Sequence, residues 1–188
     1  MFIFNKNGIG NMSTLIVNNK KFELYISSEL IQNRITELAA QIEADYKDIE
    51  VCFVSVLNGA LYFTSDLMLN YPKPCTLQTV KCKSYEGLSS TGKIEFQLPF
   101  NDQINNKHVI LLEDIIDTGT TLTFLLEEIK AYQPASVKIC TLLLKPDALI
   151  YPLSIDYVGF EIPNAFVLGY GLDYDGLGRN YKDIYKII

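Results

Sequence analysis

Apolar positions along the chain follow two spacings, and their alternation predicts a fold of strands and helices. Helical spacing of apolar residues predicts helices at 26–44, 61–69 and 122–130. Continuous or alternating apolar runs predict strands at 51–57, 77–85, 93–98, 109–112, 136–145 and 156–160, with short strands in a glycine-punctuated tail at 166–175. Because strands and helices alternate, we expect an α/β fold with a parallel sheet and right-handed connections.

Polar side chains stand at or near the ends of the strands that this pattern predicts. In a parallel α/β sheet, ligands gather at the carboxyl ends of the strands. The residues placed there are Asn58, Ser84, Glu113, Asp114 and Lys145. We therefore expect separate segments of the chain to meet in one site at a single edge of the sheet.

The segment from His108 to Leu122 carries the strongest chemical signal. A buried apolar run opens into the acids Glu113 and Asp114, and a third acid, Asp117, begins a short loop before a predicted helix. That loop contains one glycine and three hydroxyl side chains, at Thr118, Gly119, Thr120 and Thr121. Backbone N–H groups at a helix N-terminus favour an anion, and glycine permits a close approach. A phosphorylated sugar, with phosphate at one end and hydroxyls at the other, fits this pattern.

Length and composition narrow the class of protein. The 188 residues suit one core, and a net charge of −6 argues against nucleic acid as the main partner. No secretory signal, C-x-x-C pair or apolar run long enough for a membrane span is evident. We therefore expect a cytoplasmic protein with no membrane partner. Residues 1–20 are polar and predicted to form an arm, followed by a single domain at 21–188.

The segment from Glu113 to Gly119 resembles the phosphoribosyl pyrophosphate motif of the type I phosphoribosyltransferases, and most closely its hypoxanthine-guanine branch. The resemblance extends over roughly residues 20–188. It implies a parallel β-sheet core at about 45–160, flanked by helices, with a small hood mainly from 161–188 and part of the N-terminus. It also implies transfer of a phosphoribosyl group to hypoxanthine or guanine, with Mg²⁺ as the cofactor.

The resemblance assigns roles within the loop and its neighbouring acids. Glu113 and Asp114 would bind the ribose hydroxyls and position magnesium, and the loop from Asp117 to Thr121 would hold the 5′-phosphate. Asp117 would also take the proton from N7 of the purine, as a general base.

Further segments resemble the remaining parts of the family's site. Purine binding would fall to Lys145, Phe166 and Val167, with Asp173 beside the purine and helping to hold a second magnesium ion. Pyrophosphate binding would fall to Asn58, Gly59 and Arg179, although the family usually carries lysine where this chain has Asn58. Ser84 and Tyr85 would belong to a flexible lid over the site. Arg34, the other arginine, is predicted to be structural, and His108 receives no role.

Two alternatives stay open at this point. One is a phosphoribosyltransferase acting on another base, and the other is a regulatory nucleotide-binding domain without turnover, which Asn58 alone favours. The pattern does not rank hypoxanthine, guanine and xanthine. The resemblance implies small-molecule substrates, a phosphoribosyl pyrophosphate and a 6-oxopurine base, and a homodimer or homotetramer.

Overall fold

The structure is a computed structural model that describes residues 14–84, 94–97 and 101–188, with the backbone alone at 82–84, 94–97, 101 and 102. The helices are α1 (Ser28–Tyr46), α2 (Leu61–Asn70) and α3 (Thr120–Lys130), with short 3-10 helices at Asn101–Ile104 and Pro146–Ala148. The strands are β1 (Thr14–Val17), β2 (Lys20–Ile26), β3 (Val51–Leu57), β4 (Cys75–Ser84), β5 (Ile94–Gln97), β6 (His108–Ile116), β7 (Ser136–Leu144), β8 (Tyr157–Glu161), β9 (Val167–Leu168) and β10 (Ile184–Ile187).

The larger sheet confirms the predicted α/β fold. Its strand order is β5-β4-β3-β6-β7-β8. The strands from β4 to β8 in this order pair in parallel, and β5 pairs antiparallel with β4 at one edge. The carboxyl ends of β3, β6 and β7 therefore lie side by side, which brings Asn58, Asp117 and Lys145 to the same end of the sheet.

Helices cover both faces of this sheet. On β3, Val51 and Phe53 pack with α1 and α2, whereas Cys52 and Val54 pack with α3. A strand that is buried on both faces reads as a continuous apolar run, which is why β3 was predicted at its observed bounds. Within the described ranges, no helix is both long enough and apolar enough to cross a membrane.

A second, antiparallel sheet has the order β1-β2-β10-β9, and it corrects the prediction of an arm as far as residue 20. Strands β1 and β2 form a hairpin whose turn, Asn18-Asn19, has φ values of 45° and 60°. Two positive φ angles are typical of the tight turn that best joins twisted strands, and asparagine tolerates them. The alternating buried residues Leu15 and Val17 carry the strand signal, which the polar average of this segment hides.

Helix α1 begins with a serine cap, since the Ser27 hydroxyl accepts a hydrogen bond from the N–H of Leu30 at 3.4 Å. Arg34 on this helix donates to the carbonyls of Gly159 (2.9 Å) and Val158 (2.8 Å) on the edge strand β8. The structure thus supports the prediction that Arg34 is structural.

We expect Arg34→Met to lower the free energy of unfolding by about 1.5–3 kcal/mol, because two carbonyls lose a charged donor. Denaturant unfolding measures this. The control is Lys130→Met, which breaks an exposed ion pair with Glu127 on α3, for which we expect about 0.2–1 kcal/mol. Equal losses in the two variants would contradict the anchoring role of Arg34.

Candidate functional site

The predicted phosphate loop joins β6 to α3. Gly119 has φ +77°, and a Cβ at this position would lie 2.7 Å from Cδ1 of Leu153. The backbone angle therefore favours glycine, and a Cβ would in addition displace the Leu153 side chain. Gly119, the N-cap of α3, has no side chain to cap the helix, and the Thr120 N–H donates to the Thr118 hydroxyl at 3.3 Å. The start of this helix therefore suits an anion.

A cavity of about 120 Å³ lies directly over this loop. It is lined by Glu113, Ile115, Ile116, Asp117, Thr118, Gly119, Thr120, Thr121 and Leu122. The hydroxyl oxygens of Thr118 and Thr120 lie 2.9 Å apart at its surface. Glu113, the loop and the start of the helix thus border a single space.

Glu113 and Asp114 form a buried acid pair within β6, which runs beyond the predicted apolar segment to Ile116. They are only 8% and 9% exposed. Burial, and next the charge of Asp114, raise the pKa of the Glu113 carboxyl well above its ordinary value. Burial also raises the pKa of Asp114, although hydrogen bonds and the charge of Arg179 act in the opposite direction. Oε2 of Glu113 is buried with no hydrogen-bond partner among the described residues.

The raised pKa of Glu113 leads to a prediction about stability. The folded protein keeps this proton where the unfolded chain has released it, so stability falls as the pH rises above the ordinary value of 4.5 towards the raised pKa. Glutamine does not ionise, so Glu113→Gln should lose less stability over this interval. Melting temperatures at about pH 5 and about pH 8 measure the difference. A wild type that loses no more stability than the variant over this interval would contradict the burial argument.

Close packing brings the predicted pyrophosphate loop against the acid pair. A Cβ on Gly59 would overlap Oδ2 of Asp114, and a Cβ on Gly171 would overlap the carbonyl oxygen of Gly59. The neighbouring peptide bond, Leu57–Asn58, is cis. Asn58 itself is exposed. Gly59 therefore lies between the acids of the core and the glycine turn that precedes Asp173.

Lys145 and Asp117 form an ion pair at the carboxyl ends of β7 and β6, with Nζ and Oδ2 2.6 Å apart. Lys145 is 7% exposed, and its backbone N–H donates to the carbonyl of Ile116 at 2.9 Å. The sequence predicted both residues for the purine site but not that they contact each other. The parallel pairing of Ile116 with Leu144 is what places them side by side, because each residue directly follows its strand.

The residues predicted near the base and the second metal lie in and beside the smaller sheet. Phe166 is 44% exposed, and Val167 is buried in β9. Arg179 lies 2.6 Å from Oδ1 of Asp173, whose Oδ2 accepts from the N–H of Gly176 at 2.7 Å. Among the described residues, Asp173 and the acid pair do not form a cluster of three metal ligands.

The predicted lid lies largely outside the residues that the structure describes. Ser84 is the last residue of β4, without a described side chain, and Tyr85 with the loop after it lies outside the described residues.

A polar network that supports the glycine turn at 169–171 was not predicted from the sequence. The Tyr170 hydroxyl donates to Asp66 on α2, and Gln32 on α1 also donates to Asp66. Tyr170 has φ +50° and its ring lies 6.1 Å from that of Tyr62. The only sequence signal was a tyrosine between two glycines, which does not identify its partners.

Comparisons with known proteins identify the family of this chain. The family described as the phosphoribosyl transferase domain matches residues 25–175. The hypoxanthine-guanine phosphoribosyltransferase of Mycobacterium avium is 36% identical over 94% of this chain and 93% of its own length. That of Bacillus subtilis is 36% identical over 84% of this chain and 88% of its own. A crystal structure of the Bacillus anthracis enzyme superposes with a TM-score of 0.83 at 36% identity, covering 88% of this chain and 98% of that one. The chain belongs to the hypoxanthine-guanine branch of the phosphoribosyltransferase family.

Proposed function

We propose that this protein transfers the 5-phosphoribosyl group from phosphoribosyl pyrophosphate to hypoxanthine or guanine, forming the nucleoside monophosphate and pyrophosphate. Its class is that of a purine-salvage glycosyltransferase. The observation that supports 6-oxopurines as the substrates is the Lys145–Asp117 pair, which puts a cationic donor and an anionic acceptor 2.6 Å apart.

A 6-oxopurine presents a matching pair of groups on one edge, the O6 acceptor and the N7–H donor. Lys145 can donate to O6 while Asp117 accepts from N7–H, so the base replaces the ion pair with two charge-assisted hydrogen bonds. Adenine has an amino donor in place of O6, and Lys145 has no acceptor to offer it. Because Lys145 is buried, such a mismatch leaves polar groups unpaired, which is expensive.

The same geometry supports the chemical step. N9 of the purine forms a bond to C1′ of the ribose while the bond from C1′ to the pyrophosphate oxygen breaks. The purine then carries an excess proton at N7, and Asp117 accepts it as a general base. The half-exposed Asp117 carboxylate begins the phosphate loop, so the base and the 5′-phosphate would be oriented by one segment.

The sugar phosphate would occupy the cavity over α3. The loop from Asp117 to Thr121 holds the 5′-phosphate through backbone N–H groups and threonine hydroxyls. Glu113 at the edge of that cavity, with Asp114 beside it in the chain, binds the ribose hydroxyls. A hydroxyl that reaches Oε2 of Glu113 would supply the partner that this buried atom lacks among the described residues.

The acid pair also fits magnesium. Mg²⁺ takes oxygen ligands, and it commonly binds one or two carboxylates together with substrate phosphates and water, so Glu113 and Asp114 suffice. The unpartnered Oε2 of Glu113 is consistent with this assignment. When bound, magnesium would neutralise charge on the departing pyrophosphate. Asp173 is the candidate for a second ion, and its carboxylate contacts Arg179 in this structure.

Three further assignments complete the proposal. Pyrophosphate is bound chiefly by backbone donors of Asn58 and Gly59, in the loop after β3. Arg179, from the C-terminal part of the chain, binds it as well. The contact between Gly59 and Asp114 supports this placement, because it puts the loop beside the ribose site. Ser84 and Tyr85 contribute to the lid. Phe166 stacks on the base, which its exposed ring allows, and Val167 contacts the base through backbone groups.

We also propose that the chain forms one domain, whose hood is the smaller sheet including β1, and that this domain self-associates as a homodimer or homotetramer. Helix α2 exposes the apolar side chains of Leu61, Tyr62 and Leu69, which would be available to an interface. The free thiols of Cys52, Cys75 and Cys140 support a reducing, cytoplasmic location.

Product formation tests the proposed function directly. The protein is incubated with phosphoribosyl pyrophosphate, Mg²⁺ and, separately, hypoxanthine, guanine, xanthine or adenine, and the nucleoside monophosphate and pyrophosphate are quantified. We expect both products from hypoxanthine or guanine. Binding of these ligands without any product would contradict the proposal and would instead identify a regulatory domain.

A further inference from the structure

Three aromatic rings meet in the smaller sheet around Phe166. The rings of Phe22 and Tyr174 lie 6.3 Å and 5.4 Å from that of Phe166, with interplanar angles of 54° and 73°. Phe22 and Tyr174 also contact each other at 6.3 Å. These spacings and tilts are those of favourable aromatic pairs. Each ring of this aromatic triad, Phe22–Phe166–Tyr174, therefore contacts both others.

The triad connects three separate segments of the chain. Phe22 lies on β2 and is 0% exposed, whereas Phe166 precedes β9 and is 44% exposed. Ile187 on β10 pairs with Phe22 and donates its N–H to the carbonyl of Phe166 at 3.0 Å, so the sheet aligns both phenylalanines. Tyr174 is held from the other side by a tight turn, with hydrogen bonds of 2.8 and 3.1 Å to Leu177.

We propose that Phe22 and Tyr174 are positioning residues for base binding, holding the ring of Phe166 in the orientation that stacks on the purine. This inference rests on the proposed function. It extends the purine site to the hairpin formed by β1 and β2, to which the motifs assign no functional role.

The physical reason lies in the entropy of ordering an exposed ring. A lone phenylalanine on the surface samples several rotamers, and a ligand that selects one of them loses affinity by the fraction of time spent in the others. Two tilted rings packed against Phe166 restrict it before the base arrives, while its exposed surface remains available. Such pre-organisation increases affinity without a new contact to the ligand.

The predicted signature is specific for the base. Removing the Tyr174 ring, as in Tyr174→Leu, should raise KM for hypoxanthine by about three- to tenfold, the size expected for one aromatic pair. KM for phosphoribosyl pyrophosphate should stay near wild type. Tyr174→Phe should retain the wild-type KM for hypoxanthine, because the ring and not the hydroxyl contacts Phe166.

A matched control lies in the same sheet. Tyr181→Leu removes a similar edge contact, with Tyr185 at 5.8 Å, among residues outside the triad. It should lower the melting temperature without changing KM for hypoxanthine. In a Phe166→Leu background, Tyr174→Leu should have no further effect on this KM, because the ring that it positions is gone.

The experiment measures both KM values and the melting temperature for these variants. If Tyr174→Leu does not fold, Tyr174→Met, which keeps a flexible apolar side chain, replaces it with the same expectation. An unchanged KM for hypoxanthine in the ring-deletion variant of an active enzyme would overturn the positioning role. So would an equal rise in Tyr181→Leu or additive effects with Phe166→Leu. A wild type that uses no 6-oxopurine would instead remove the proposed function, and this inference with it.

Discussion

Replacing Asp117 by asparagine is expected to lower the turnover number by about 10²–10⁴-fold, the usual contribution of a general base. Asparagine keeps the shape of the side chain but cannot accept the N7 proton. The phosphate loop should survive, because its conformation depends on Gly119 and the start of α3 and not on this carboxylate. We therefore expect nucleoside monophosphate to bind the variant.

Single-turnover rates and nucleotide affinity together measure this effect. Asp147→Asn is the control, because Asp147 is an exposed acid in the short helix after Lys145. Some loss of stability should accompany Asp117→Asn, since buried Lys145 loses its ionic partner. A variant that retains more than half of the wild-type rate, with chemistry limiting, would remove Asp117 from the mechanism.

Lys145→Ala should lower kcat/KM for hypoxanthine by about 10–10²-fold. A charge-assisted hydrogen bond is worth about 1.5–3 kcal/mol, and each 1.4 kcal/mol corresponds to about tenfold. The variant should not become an efficient adenine enzyme, because removing one donor does not create the acceptor that the amino group of adenine needs.

Lys107→Ala provides the control for loss of a lysine. Lys107 pairs with Glu50 at 2.8 Å, and these residues directly precede β6 and β3. They therefore lie at the amino ends of the strands, away from the site at the carboxyl ends. Its kinetics should remain close to wild type. If both lysine variants lose hypoxanthine efficiency equally, or if Lys145→Ala loses none, Lys145 does not contact the base.

Local pattern was sufficient for the larger sheet and for the phosphate loop. A strand buried on both faces is a continuous apolar run, so β3 was predicted at its observed bounds, Val51–Leu57. The conformation of Gly119 was equally predictable, because a helix that begins directly after an anion loop limits the backbone there. In both cases the determining interactions are close in sequence.

Contacts between distant segments were not predictable in the same way. Strand β10 pairs with β2 across most of the chain, and its few residues show no distinctive pattern. The contact of Lys145 with Asp117 depends on the register of two strands, and that of Tyr170 with Asp66 on how the smaller sheet meets α2. One sequence without its fold does not specify such pairings.

The relative use of hypoxanthine and adenine by the wild-type protein tests the account most directly. The measurement is kcat/KM for each base at saturating phosphoribosyl pyrophosphate and Mg²⁺. If Lys145 and Asp117 read O6 and N7–H, the ratio should favour hypoxanthine by about 10⁴-fold, as expected for a site that leaves buried polar groups unpaired with the wrong ligand. A ratio within about tenfold, the discrimination that a mere difference in apolar contact would provide, would contradict recognition of 6-oxopurines by this pair.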